Sequence, residues 1–299
     1  MSNLRSITRF SQSGNRLELR YSGNRLVIRK ISGSETVERL HSDYTKLLNW
    51  PLQLSFVSTP KILTQWDGLG FDQEYFLGKT LGRFLESCSQ SEAYRVSNLI
   101  CSTLRAQIEY GVVLKDTYMT EEFVKSQISS KIDLMRERSA QVENPNRSLL
   151  NRALQDGISF LECNLSLVKT LPSLNHGDFS FENILISEVN GSIQLIDFSN
   201  THIDSIVMDI SRILIDAEFG WWASARSDVV ASRLNSEILK NVVYEFCHSN
   251  QLSKLDINFF MILNILRILP YTTKPARLAN LLNSLFEILN SNEYLNRGN

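Results

Sequence analysis

Cysteine is scarce and scattered in this chain: Cys88, Cys101, Cys163 and Cys247 form no Cys-x-x-Cys pair and no Cys/His cluster at metal-ligand spacing. That excludes a zinc module and a disulfide framework, and it predicts free thiols in a reducing cytoplasm. Surplus charge of either sign is missing as well, with 31 Lys and Arg against 32 Asp and Glu. No electrostatic footprint for nucleic acid or an anionic membrane is expected from such a balance. Long apolar runs are absent too. The most apolar stretch, Ile257 to Leu266, is bounded by Asp256 and Arg267, and its length falls well short of the about 20 residues that span a bilayer. It reads as a buried core helix. The first ten residues carry no continuous apolar segment, so the expected location is cytoplasmic.

What is present is a globular mixture, 43% hydrophobic and 21% charged over 299 residues. At about 150 residues per domain this suggests two lobes sharing a cleft. The first lobe has strand character. Arg16–Tyr21 alternates at period two and Arg25–Lys30 is rich in β-branched and aliphatic residues, with Ser22-Gly-Asn24 as the turn between them, the signature of a hairpin. Ile7–Phe10 supplies a preceding strand, and apolar residues at helical spacing predict one amphipathic helix from Glu35 to Asn49, stopped by Pro51. Lys61–Gln65 and Phe71–Phe76 read as two further strands. From Leu85 onward the periodicity is helical, with helices near 121–139, 147–170, 206–218, 229–250 and 256–290. A short hairpin, Ile184–Ser187 and Ser192–Asp197 around Asn190-Gly191, interrupts them.

That hairpin frames the most informative stretch, Asn175-His-Gly-Asp-Phe-Ser-Phe-Glu-Asn-Ile-Leu-Ile186 followed by Ile193-Gln-Leu-Ile-Asp-Phe198. His176-Gly-Asp178, Asn183 five residues on, and Asp197-Phe198 fourteen residues further resemble the catalytic core of aminoglycoside- and choline-kinase-like phosphotransferases, relatives of the protein kinases. The resemblance implies an α+β, two-lobed protein-kinase-like fold, with a β-rich nucleotide-binding lobe over 1–77 and a helical lobe over 78–299 that holds the catalytic loop 175–198 and the acceptor site. It implies ATP and Mg²⁺ as cofactors and a small-molecule hydroxyl as acceptor. The chemistry suits the spacing. Phosphoryl transfer to an alcohol needs one carboxylate to orient the hydroxyl and take its proton, a task for Asp178. It also needs oxygen ligands for Mg²⁺, which Asn183 and Asp197 can supply from the two arms of the hairpin. His176 braces the loop through hydrogen bonds, since this chemistry requires no imidazole base.

In the first lobe the resemblance implies a phosphate-binding cation on the strand Leu26–Lys30. Arg29 and Lys30 both fit, and alternation puts them on opposite faces. Arg29 is favoured because it shares a face with Val27. The cation's carboxylate partner should lie mid-helix at Asp43, with Glu38 as competitor. Glu74-Tyr-Phe76 resembles the hinge whose backbone pairs with adenine, and Ser11–Asn15 would cover the phosphates. Met208-Asp209-Ile210 resembles the family's structural Asp, and Trp221-Trp222 would line an acceptor wall or pack in the core. Residues 221–299 carry six acids against eight bases. That balance disfavours a polycationic antibiotic and favours a sugar, a glycoconjugate precursor or an amino alcohol. A nucleotide-binding pseudokinase and a protein kinase are the competing readings; Gly177, Ser199 and the lack of an Ala-Pro-Glu string count against the latter.

Overall fold

The structure, a computed structural model, describes residues 7–10, 16–33, 37–52, 54–66, 70–115, 120–139, 147–220, 230–272 and 275–296. Ser11–Asn15 and Trp221-Trp222 lie outside the described residues. Two compact units emerge: one gathers the chain up to Leu81 with His176–Asp178 and Glu182–Asn200, and the other holds Gly82–Asn175, Phe179–Phe181 and the chain from Thr201.

The first unit contains β1 (Ile7–Phe10), β2 (Arg16–Ser22), β3 (Arg25–Ile31), α1 (Val37–Leu48), β4 (Val57–Ser58), β5 (Ile62–Trp66), β6 (Gly70–Glu74) and β7 (Gly78–Thr80). To these it adds the hairpin β8 (Ile184–Ser187) and β9 (Ile193–Leu195). A five-stranded antiparallel sheet runs β1-β2-β3-β6-β5. Helix α1 turns Leu40, Tyr44 and Leu47 inward at the four- and three-residue spacing of one helical face. Leu40 and Tyr44 form a small core with Phe71 of β6, the two rings 5.1 Å apart, and the Tyr44 hydroxyl donates to Gln65 Oε1 at 2.7 Å. Amphipathic burial therefore fixes α1 on the sheet. Between β3 and β6, the Arg29 guanidinium forms a bidentate pair with Asp72, both contacts 2.8 Å, and stacks 3.8 Å over the Trp66 ring. Burial pushes the Asp72 carboxyl up, but the hydrogen bonds and charge of Arg29 outweigh it and hold it below its ordinary value.

A second sheet has the order β4-β9-β8-β7, antiparallel except for β4 on β9. Its outer strands, β4 and β7, are two and three residues long. Periodicity cannot reveal strands so short, which is why the sequence shows only the central hairpin.

The second unit is helical: α2 (Leu81–Ser87), α3 (Gln90–Lys115), α4 (Glu121–Ser139), α5 (Arg147–Asn164), α6 (Ile206–Phe219), α7 (Val230–Ser249), α8 (Lys254–Ile268) and α9 (Pro275–Asn296). Every residue of α6 from Ile206 to Ala217 is buried, as is α8 from Asp256 to Leu266. A helix buried on all sides has to be central. Asn264 of α8 joins the two by donating to Met208 O at 3.1 Å and Ser211 Oγ at 2.8 Å. The single helix expected over 256–290 is in fact two. Leu269–Tyr271 forms a 3₁₀ turn with Pro270 near its start, and a proline has no N–H with which to continue an α-helical ladder. Among the described residues no helix is long and apolar enough to cross a membrane.

The Arg29–Asp72 pair generates a stability prediction. With Asp72 nearly buried at 5% exposure, Asp72→Ala should cost about 3 kcal/mol, because it strands the guanidinium. The double variant Arg29→Met/Asp72→Leu should cost less than Asp72→Ala alone. Urea unfolding of the three proteins measures both.

Candidate active site

The loop from Asn175 to Asn183 is held at alternate positions. In the second unit, the Phe181 N–H donates to buried Asp216 Oδ2 of α6 at 2.8 Å, and the Phe179 and Phe181 side chains are buried. In the first unit, His176 is wholly buried, with its ring 4.3 Å from Phe198. Its Nδ1 accepts the Asp178 N–H at 3.3 Å, which assigns the neutral ring's proton to Nε2. Burial, and then the charge of Lys46, lowers its pKa to about 4 against the upward pull of Asp178, the Ile196 backbone and Asp197. His176 is therefore neutral at pH 7 and braces the loop.

Gly177 has φ +89°, and a Cβ there would lie 1.9 Å from the Ser199 carbonyl oxygen. No L side chain fits. The same close approach allows the Ser199 N–H to donate to His176 O at 3.1 Å. The carboxylate of the next residue, Asp178, accepts from Asn183 Nδ2 at 2.8 Å, and the same amide nitrogen donates to the Asp178 carbonyl at 2.9 Å. Both amide hydrogens of Asn183 are thus committed to Asp178, and Oδ1 is the group that can ligate a cation.

Asn183 directly precedes β8, and Asp197 follows β9 by two residues. The register Ile184↔Leu195, continued by Ile196 N–H donating to Asn183 O at 3.0 Å, sets both at one end of the hairpin. Asp197 has φ +57°, in the left-handed region that Asp tolerates better than most side chains. Its carboxylate is paired with the Lys30 ammonium, the lysine side chain 12% exposed and the aspartate 38%.

Of the two cations considered on β3, Lys30 is the one brought to Asp197, and Arg29 is engaged with Asp72 and Trp66 on the other face. Asp43 Oδ1 accepts the Asn200 N–H at 3.4 Å, whereas Glu38 is exposed. At Glu74-Tyr-Phe76, the Glu74 and Tyr75 amides donate to Lys61 O at 2.9 Å and Leu26 O at 3.3 Å; among the described residues the Phe76 backbone has no hydrogen-bond partner. Asp209, at the start of α6, accepts from Gln107 Nε2 at 2.9 Å in the buried interior. Sequence reasoning missed Lys46, whose ammonium donates to Ser199 O at 2.7 Å, and Asp216, the buried carboxylate on the loop backbone. Neither residue has a motif, although Asp216 as an acid inside a mostly apolar helix was a usable signal.

Among the described residues no group of three His, Cys, Asp or Glu could hold a metal ion. A divalent cation here would therefore draw on the Asn183 amide oxygen, the Asp197 carboxylate and oxygens from outside the chain. That donor set fits Mg²⁺, a hard ion usually bound through one or two carboxylates together with substrate phosphates.

The sequence model of the ecdysteroid kinase-like family matches residues 98–217, less than half of the chain. No curated protein sequence matches. Solved structures do resemble it. An ethanolamine kinase from Plasmodium vivax aligns at 15% identity over 95% of this chain and 81% of its own, with a TM-score of 0.58. The choline kinase LicA from Streptococcus pneumoniae aligns at 17% over 93% and 89%, with 0.56. A thermostable mutant of aminoglycoside phosphotransferase APH(4)-Ia aligns at 14% over 97% and 95%, with 0.64. The chain has the protein-kinase-like fold that these structures share.

The buried imidazole generates a prediction. Between the ordinary pKa of 6.5 and the folded value of about 4, the unfolded chain binds a proton that the folded chain refuses. Stability is therefore full above pH 6.5 and declines as pH falls towards 4, by up to about 3 kcal/mol from this group. His176→Gln should lose less stability between pH 7 and pH 4.5 than the parent protein does, as read from urea midpoints at the two pH values.

Proposed function

We propose that this protein is an ATP-dependent phosphotransferase that moves the γ-phosphate to a hydroxyl of a small molecule. The observation that carries the reading is the Asp178–Asn183 pair: the amide fixes the carboxylate and commits both its hydrogens there, so one residue is shaped as a base and the other as an oxygen ligand. Asp178 orients the acceptor hydroxyl and takes its proton at the carboxylate as the oxygen attacks the γ-phosphorus, whose bond to the β–γ bridging oxygen breaks so that ADP leaves. Asn183 Oδ1 and the Asp197 carboxylate would hold Mg²⁺, which would supply charge neutralisation to the nucleotide phosphates. Lys30 releases Asp197 to contact the phosphates. Adenine pairs with the backbone at Glu74–Phe76, where the Phe76 N–H is available among the described residues. Arg29 keeps the sheet intact and does not touch nucleotide. Asp43 sets the segment after Asp197 through Asn200.

The acceptor is an alcohol. Choline, ethanolamine and glucosamine kinases are among the structural neighbours and the family match is ecdysteroid kinase-like, which together with the excess of bases in 221–299 favours a sugar, a glycoconjugate precursor, an amino alcohol or a polyhydroxylated steroid. The enzyme works in the cytoplasm on small molecules. A panel of such acceptors, assayed for ADP release with MgATP, tests the reading; no turnover with any of them and no nucleotide binding would overturn it.

MgATP at millimolar concentration should raise the melting temperature, and EDTA should remove most of the gain. Asp178→Asn should keep MgATP affinity while turnover falls about 10²- to 10⁴-fold. Asp197→Asn should lose metal-dependent affinity as well as rate. Lys30→Ala should weaken MgATP binding by about 10-fold or more, whereas Arg29→Ala should lower stability and leave affinity within about 2-fold. Calorimetric titration alongside steady-state kinetics separates the four variants.

A further inference from the structure

Helix α1 presents a polar row to the two residues that follow Asp197-Phe198. The Lys46 ammonium donates to Ser199 O at 2.7 Å, Asn200 Nδ2 donates to Ser42 Oγ at 3.2 Å, and the Asn200 N–H donates to Asp43 Oδ1 at 3.4 Å. Positions 42 and 46, one helical turn apart, share a side of the helix. Lys46 also reaches the catalytic loop: a Cβ built on Gly177 would stand 3.1 Å from its Nζ. One ammonium is thus set at the place where the backbone of the base-bearing loop meets the backbone beyond the metal-ligand carboxylate.

We infer that the Ser42–Asp43–Lys46 row positions the metal ligand Asp197, with Lys46 as its principal positioning residue acting through the Ser199 carbonyl. Asp197 holds a left-handed backbone, φ +57°, that an L residue keeps only when its neighbours over-determine it. The neighbours do so: Phe198 is packed between Trp50, 4.8 Å away, and His176, 4.3 Å away, while Ser199 and Asn200 are tied to α1. Of the two charge-assisted contacts, that of Lys46 at 2.7 Å is much shorter than that of Asp43 at 3.4 Å, so Lys46 contributes most. The helix expected to supply a carboxylate to the phosphate-binding cation also ties down the segment beyond Asp197.

This inference rests on the phosphotransfer reading, and ATP binding measured across a Mg²⁺ titration distinguishes the failure of each. The parent protein, Lys46→Met, Lys46→Arg and Asn200→Ala are compared by calorimetry. For Lys46→Met, the Mg²⁺ concentration that gives half of the metal-dependent gain in ATP affinity should rise about 10-fold, the scale of one charge-assisted hydrogen bond. Affinity for metal-free ATP should stay within about 2-fold, because the hinge and Lys30 do not depend on Lys46. Lys46→Arg should recover most of the loss, and Asn200→Ala should shift the Mg²⁺ requirement in the same direction by less. Lys46→Met and Asn200→Ala that bind ATP with the parental Mg²⁺ dependence, or equal weakening with and without metal, would overturn the inference alone. If Lys46→Met does not fold, Asn200→Ala decides by the same criterion. A parent protein that binds no ATP overturns the phosphotransfer reading and this inference together.

Discussion

The backbone of His176-Gly177 lies against that of Phe198-Ser199 so closely that one added methyl at Gly177 would meet the Ser199 carbonyl at 1.9 Å. Two segments twenty residues apart can be joined this tightly only if a glycine stands at the crossing. Everything else in the site is arranged around the joint. The Ser199 N–H closes it onto the His176 carbonyl, the buried imidazole fills the space against Phe198, and Lys46 donates to the carbonyl from outside. Because the joint is made of backbone, the side chains on either side of it, Asp178 and Asp197, are held in a constant relation without having to contact each other.

Charge is arranged with similar economy. Arg29 and Lys30 are adjacent in sequence, yet the strand sends one to Asp72 within the sheet and the other to Asp197 at the site. The first interaction is fully committed: a bidentate, stacked guanidinium is rigid and hard to displace. The second is a lone ammonium on a flexible stem, which can change partners. An arginine suits a permanent strut, and a lysine suits a cation that can exchange one partner for another.

Much of this was legible in the sequence because it depends on local spacing. Asp178, Asn183 and Asp197 are placed by one loop and one tight hairpin, so their offsets carry the geometry. The burial of α8 and the face of α1 followed from composition and periodicity alone. Other features depend on distant partners and leave no local trace. That Arg29 is tied up within the sheet required knowing that Asp72 lies across from it on β6. The role of Lys46 depends on a carbonyl 153 residues away, and β4 and β7 exist only because they flank a hairpin made much later. The break in the last apolar run is marked in the sequence by Pro270, but the apolar pattern resumes beyond it and masks the boundary.

The separation in sequence of the two halves of the smaller unit has a consequence for how the protein is made. Val57 pairs with Ile193, and Gly78 with Ser187, so the second sheet has no central strands until the ribosome has passed residue 200. At about 5–20 residues per second, the nascent chain waits on the order of 5–20 s after Leu81 emerges before β8 and β9 arrive. During that interval β4 and β7 have no partners, and the Lys30 and Lys46 side chains face no Asp197 or Ser199. The smaller unit, although most of it is first in sequence, is therefore completed only after the helices up to α5 have been synthesised, and the residues that close it are those of the hairpin between Asn183 and Asp197.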